Sequence, residues 1–188
     1  PPPPLFFLML RRPPRSTHCI SSAASEVYKR QAEVLRHTIE MLRTVKYRPT
    51  GGFCQFMFAD ALPFISCSVL DHQRRPKKAW DALSAANRPV IVVADLHQNA
   101  LTTQRHKCAI HVVSDLRTNV GPATLTVEWR APAMQPQRWV FAGDFEPDSV
   151  TKVAEPILVA DNPGMASLAL ELRGPEVHAV NLYQIKVC

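Results

Sequence analysis

The chain has 188 residues, 46% of them apolar, with 22 basic and 16 acidic side chains and a net charge of +6. That length bounds it to one or two domains, and the apolar share is ample for a core. Residues 31–188 hold 17 of the basic and 15 of the acidic residues, a mixed surface that argues against a phosphate-binding field and so against a nucleic-acid partner.

Other classes fall away on spacing. No apolar run approaches a membrane span, so no membrane partner is expected. Five cysteines are present (Cys19, Cys54, Cys67, Cys108, Cys188), an odd number with no metal-type pair. This points to a reducing, cytoplasmic compartment, because disulfide frameworks belong to small secreted chains.

Residues 1–30 stand apart from the rest. Pro1 to Pro4, Leu5 to Leu10, and Arg11-Arg12-Pro13-Pro14-Arg15 make no coherent element. Leu5 to Leu10 is too short for a signal core and lacks a basic lead-in. The string from Arg11 through Ser21-Ser22-Ala23-Ala24-Ser25-Glu26-Val27-Tyr28-Lys29-Arg30-Gln31 closely resembles a translated sequencing-adapter read-through. The expectation is an artefactual or disordered tail, at most locally helical, that packs on nothing. On that reading the true protein extends upstream.

Residues 32–46 show helical spacing. Leu35, Thr38, Ile39, Leu42 and Val45 form the apolar stripe, with Glu33, Arg36, His37, Glu40 and Arg43 around the other side. The charged residues are expected on a solvated face, not as a catalytic carboxylate pair. Tyr47-Arg48-Pro49-Thr50-Gly51-Gly52 is a loop. The run Phe53 to Phe58 is short, aromatic and bounded by turn signals, which predicts a strand buried on both faces, as in a parallel sheet covered by helices. Cys54, Phe56 and Phe58 would share one face, and Asp60 would sit at the carboxyl end, where such folds meet ligands. Ile65 to Leu70 is a further extended piece, His72 to Arg75 a polar turn, and Lys77 to Ala86 a helix with Ala79, Trp80, Leu83 and Ala86 inward.

After Pro89 the period turns from helical to alternating. Strands are expected at Val90–Ala94, Cys108–Ser114, Thr124–Trp129, Trp139–Phe141, Val150–Ala154 (extending toward Val159), Leu168–Leu172 and Val177–Lys186. Turns fall at Asn119 to Pro122, Ala142 to Asp144, Asp161 to Gly164 and Arg173 to Pro175. Seven short strands at this spacing predict an immunoglobulin-like β-sandwich over 89–188. Tyr183 reads as a core-edge tyrosine.

Catalytic motifs are sparse. The six glycines form neither a dinucleotide fingerprint nor a phosphate loop, and there is no G-x-S-x-G elbow. Asp71-His72 is too common a pairing to mark a triad. His106 and Cys108 share a strand face but His111 points the other way, so no metal site is expected there. No cofactor is called for.

One ordered set remains: Gly51-Gly52, the aromatic run, Asp60, Pro63, Ser68-Val69-Leu70-Asp71, Pro76-Lys77, and Ala79-Trp80-Asp81-Ala82-Leu83 leading to Arg88-Pro89-Val90. It resembles the end of the catalytic barrel of family-2 glycoside hydrolases, in particular the β-mannosidase-like branch. There the last barrel strand reads Gly-x-x-x-Trp-Gln-x-Asn-Asp-x-Trp-Pro. Asp60 and Pro63 match. Phe56 stands in place of the family's first Trp, Met57 of Gln, Ala59 of Asn and Leu62 of the second Trp.

The resemblance implies a mixed fold, with residues 31–88 the end of a (β/α)8 barrel followed by the sandwich. It implies a retaining glycosidase acting on β-linked sugars, most often β-mannosides. Such a reaction needs two carboxyl groups about 5 Å apart, and in this family both are glutamates on earlier strands, upstream of Gln31. No catalytic residue is therefore expected in this chain. Phe56 and Asp60 are the substrate-binding candidates, Asp60 either contacting the sugar or bracing the strand-end loop. The rival readings are a non-catalytic carbohydrate- or protein-binding module, with Trp129 and Trp139 as exposed aromatics, and an adhesion-type structural domain.

Overall fold

A computed structural model of the chain describes residues 17–96, 100–101 and 104–188. The readings made on Pro1 to Ser16 lie outside these residues. Two helices precede the sheets: α1 (Thr17–Thr44) and α2 (Lys78–Ala86). The strands are β1 (Val90–Ala94), β2 (Ala100–Leu101), β3 (Arg105–Lys107), β4 (Ile110–Ser114), β5 (Gly121–Arg130), β6 (Gln137–Phe145), β7 (Val150–Ala154), β8 (Ile157–Val159), β9 (Gly164–Arg173) and β10 (His178–Val187).

α1 begins well before the expected start at residue 32. The stretch from Thr17 to Gln31 has neither glycine nor proline, so nothing stops a helix formed over 32–44 from propagating backward. Lys29 and Glu26, three residues apart, pair at 2.7 Å on its surface. The boundary expected at residue 30 thus falls inside one helix. Its residues do not all stand free, because Lys77 Nζ lies 5.3 Å from the centre of the Tyr28 ring.

The sheets form a β-sandwich. One has the order β1-β4-β7, the other β2-β10-β9-β5-β6, and β3 pairs with β8 as a small ribbon. All the pairings are antiparallel except β2 with β10. The long strands alternate as a half-buried sheet must. β9 turns Ala166, Leu168, Leu170 and Leu172 inward, and β5 turns Ala123, Leu125, Val127 and Trp129 inward. These meet Val90, Val92, Ile110 and Val112 from the facing sheet in one core. β1 is buried along its whole length. Ile91 and Val93 point away from that core and join Val113 in a second small cluster, on the three-stranded sheet that α1 touches at β4.

The turn expected at Ala142 to Asp144 is absent, since β6 runs straight through it to Phe145. Gly143 allows this, because the Phe145 ring lies 3.3 Å from where a Cβ would be. The expected β7 extension to Val159 is broken after Ala154 and resumes as β8, which pairs elsewhere. The Arg173 to Pro175 turn is as expected. At Gly174 a Cβ would sit 2.9 Å from Val177 and 3.0 Å from Ala123, so the hairpin closes against the core only without one.

The main difference concerns Phe53 to Phe58. This run is not a strand but irregular chain with a bend at Phe56, tied at its end by a single parallel bridge between Ala59 and Leu70. Nor is it buried on both faces: Phe56 is 94% exposed and Phe58 50%. A strand needs neighbours for its N–H and C=O groups and for two apolar faces. None of the described strands lies beside 53–58, so the described residues show no barrel strand there.

The core position sets the expected cost of truncation. Leu170 is fully buried at the centre of β9 while Leu182 is 48% exposed. Leu170→Ala should lower unfolding free energy by about 2–5 kcal/mol and Leu182→Ala by about 0.5 kcal/mol or less. Urea denaturation of the two variants checks this; equal losses would place the core elsewhere.

Candidate functional site

Asp60 sits where the chain crosses itself. Its backbone N–H donates to Leu70 O at 3.1 Å, the N–H groups of Val69 and Leu70 donate to Phe58 O, and Lys77 N–H donates to Val69 O at 2.9 Å. These bonds gather three extended pieces, ending at Asp60, Leu70 and Lys77, just before α2. Asp60 is 3% exposed. Lys77 Nζ lies 2.5 Å from its Oδ2. Both Ser66 and Ser68 donate hydroxyl hydrogens to Oδ1, the latter at 2.5 Å. Lys77 also donates to Ser68 Oγ at 2.9 Å.

A carboxylate that accepts this many donors is held in its charged form. The bond from Lys77, then those from Ser66 and Ser68, pull Asp60 down to about pKa 2. The side chain is an anchor for the loop, and both of its oxygens are engaged. Gln31 of α1 extends the anchor by donating to Cys67 O at 2.6 Å and Ser68 O at 3.1 Å.

Phe56 lies on the other side of this contrast. It belongs to a row of exposed apolar side chains: Phe53 (40%), Phe56 (94%), Phe58 (50%), Leu62 (65%), Phe64 (50%) and Ile65 (53%). Phe58 meets Trp80 of α2 edge to face, with ring centres 5.7 Å apart. An open groove of about 370 Å³ runs between them, lined by Phe53, Gln55, Phe58, Trp80, Leu83, Ser84 and Asn87. Phe56 is open to solvent and Asp60 is buried, so in this chain they do not present to one ligand together.

A second polar cluster joins α1 to the sandwich. Glu40 is 3% exposed and Arg43 5%, not on a solvated face as expected. Tyr183 O–H donates to Glu40 Oε2 at 2.9 Å, and Asn181 Nδ2 donates to Glu40 Oε1 at 2.8 Å. The same Tyr183 oxygen accepts from Ala94 N–H at 3.2 Å and lies 2.7 Å from Asn181 Nδ2. The Arg36 guanidinium covers the Tyr183 ring at 4.9 Å. Burial pushes the Glu40 carboxyl up from its usual range, against the pull of Asn181 and Arg36. One turn on, Arg43 donates to Ala86 O, Arg88 O and Asp115 Oδ2, the last at 2.6 Å. Lys46 bridges Asp115 and Asp148, each at 2.7 Å. Thr38 and Val45, expected inward, are exposed instead. The available signal was the stripe Arg36, Glu40, Arg43, spaced four and three along one helix face.

The remaining candidates are structural. Cys108 is fully buried, and burial pushes its thiol up to about pKa 12. No group of metal-ligating side chains occurs among the described residues. Trp129 is 1% exposed and donates its indole N–H to Val159 O at 2.7 Å, while Trp139 packs against the core edge. They do not form an exposed aromatic row. No described helix is long and apolar enough to cross a membrane.

No family model matches the chain, and no curated protein matches it. Among solved structures, it is similar to a β-glucosidase from Listeria innocua in complex with glucose at 9% identity, covering 52% of this chain and 16% of that one with a TM-score of 0.37. It is similar to R. palustris CsgH at 15% identity, covering 52% and 89% with a TM-score of 0.33. A CARDB domain from Pyrococcus furiosus in complex with di-metal ions is 11% identical, covering 52% and 89% with a TM-score of 0.35. Likeness at this level carries no argument about fold or function.

Two outcomes test the polar clusters. The Asp60 carboxyl is depressed from 3.8 to about 2, so its contribution is complete above pH 3.8 and is lost as pH falls through 2. Denaturation between pH 6 and about pH 1.5 should show that loss, and Asp60→Asn should lack it and be less stable at pH 6; an identical pH profile for both would contradict the anchor. Tyr183→Phe leaves Ala94 N–H and Glu40 without the hydroxyl, and should cost about 1–3 kcal/mol by urea titration.

Proposed function

We propose that this chain is the C-terminal part of a retaining glycoside hydrolase of the β-mannosidase type, acting on β-linked sugars. In this reading residues 31–88 are the last strand and flanking helices of a (β/α)8 barrel, and residues 89–188 are an immunoglobulin-like sandwich. The sheet orders β1-β4-β7 and β2-β10-β9-β5-β6 suit such a sandwich, with β2 adding a parallel edge to the sheet. The chain's own likeness to a glycosidase rests on the ordered set from Gly51 to Lys77.

One observation carries the reading. Six large apolar residues between Phe53 and Ile65 are 40–94% exposed on a backbone with almost no ladder, while the helices on either side of them pack together. Monomeric proteins rarely leave so many aromatics uncovered in one stretch. A barrel supplies the two neighbouring strands and the inner layer that this stretch lacks.

Roles follow from the chemistry. Phe56 is the substrate-contacting residue, offering a flat apolar face to a sugar ring but no indole donor. Asp60 braces the strand end through Lys77, Ser66 and Ser68. The acid that protonates the leaving oxygen and the nucleophile that traps the sugar are both assigned to the region preceding Gln31. Neither Phe56 nor Asp60 can replace them, since neither makes or breaks the glycosidic bond. The binding-module alternative wants an exposed aromatic row on a sheet, and neither Trp129 nor Trp139 provides one.

Release of nitrophenol from β-mannoside, β-glucoside and β-galactoside substrates is the test. The chain alone should release none, and a longer protein that carries it should turn over at least one. In that protein Phe56→Ala should lower kcat/KM about fivefold, from lost stacking worth about 1 kcal/mol. Turnover by the purified chain, or a longer protein inactive on every β-glycoside, would overturn the assignment.

A further inference from the structure

β6 is the outermost strand of the five-stranded sheet and pairs only with β5 among the described residues. Its free edge is nine residues long, from Gln137 to Phe145, with no proline and no bulge in its register. The opposite edge of the same sheet, β2, has two residues. Natural proteins guard long edges with lysines, prolines, bulges or covering loops, because unpaired N–H and C=O groups recruit another strand. β6 carries none of these between Trp139 and Gly143. Its two charges, Arg138 and Asp144, flank that stretch. Both are exposed, and neither side chain has an ion-pair or hydrogen-bond partner among the described residues.

The placement of those charges selects an occupant. We propose that β6 pairs with β6 of a second copy of this chain, antiparallel and about a two-fold axis at Phe141. In this register Arg138 of one copy lies opposite Asp144 of the other, and the pair occurs twice by symmetry. Trp139 of one copy lies opposite Gly143 of the other, which has no side chain to oppose the indole. Val140 lies opposite Ala142. Arg138, Val140, Ala142 and Asp144 are the outward residues of β6, so the charge pairs and the small apolar pairs share one face. Moving the axis to residue 140 sets Arg138 against Ala142 and leaves Asp144 beyond the end of the paired strand. Moving it to residue 142 sets Arg138 beyond that end. Only the axis at Phe141 pairs both charges within the strand. The product is a continuous ten-stranded sheet across two sandwiches.

Sedimentation equilibrium of the full chain over micromolar concentrations tests this, with circular dichroism confirming that each variant stays folded. The wild-type chain should form a dimer. Arg138→Asp or Asp144→Arg alone sets like charges opposite each other at two symmetric positions, and should weaken the dimer about tenfold. The combined Arg138→Asp, Asp144→Arg variant restores opposite charges and should restore the dimer. A monomeric wild-type chain would overturn the proposal. So would association that both single variants leave unchanged, as contact through the exposed 53–65 stretch would do, or a double variant no tighter than the singles.

Discussion

The hydroxyl of Tyr183 is where the helical and sheet parts of this protein become one structure. It donates to Glu40 of α1 and accepts from the Ala94 amide of β1 while standing on β10. Three elements far apart in sequence therefore meet at one oxygen. The cluster is internally consistent: each of the carboxylate oxygens of Glu40 has a donor, and Arg36 supplies a nearby positive charge. A buried carboxylate without these partners would be strongly unfavourable. Arg43 and Lys46 repeat the arrangement one and two turns along, against Asp115 and Asp148. α1 is thus seated on the sandwich by directional polar contacts, which fix its orientation more sharply than apolar packing does.

The segment between α1 and α2 obeys the opposite rule. Its polar demands are met at Asp60, where Lys77, Ser66 and Ser68 converge. Its apolar demands are met at Val69, which is fully buried, but not along the aromatic run. Phe56 and its neighbours face solvent, and only Phe58 finds an aromatic partner, in Trp80. The loop is therefore well fixed at its carboxyl end and unsatisfied along its length. That imbalance, more than any single residue, is what the barrel-end proposal explains.

How legible each part was in the sequence follows from the range of its interactions. β1 was readable to the residue and β10 to within one residue at each end, β7 without its expected extension to Val159, and β5 and β9 only in part, because alternation is a local consequence of burying one face. α2 was readable from Pro76 and from Ala79, Trp80 and Leu83. Phe53 to Phe58 was misread because its composition encodes a demand for neighbours, and composition cannot show whether they are present. Glu40 and Arg43 were placed in solvent because an amphipathic helix usually has one buried face; here the polar face is covered by β10 and Asp115. Asp60 stood out in the sequence as either a sugar contact or a loop brace, but composition could not show that its oxygens answer to Ser66, Ser68 and Lys77, whose convergence depends on the crossing of three pieces of chain. α1 starts ahead of its apolar stripe because Thr17 to Gln31, which lacks helical periodicity, holds no helix breaker.

The central claim is that Phe53 to Phe58 is a strand without its partners. Amide hydrogen exchange, measured residue by residue on this chain and on a longer protein that contains it, tests that most directly. The account predicts exchange of residues 53–58 near the rate of an unfolded peptide in this chain, beside strong protection of β9 and β10. In the longer protein the same amides should become as protected as those of β9. Protection of 53–58 in this chain alone, or its absence in the longer protein, would contradict it.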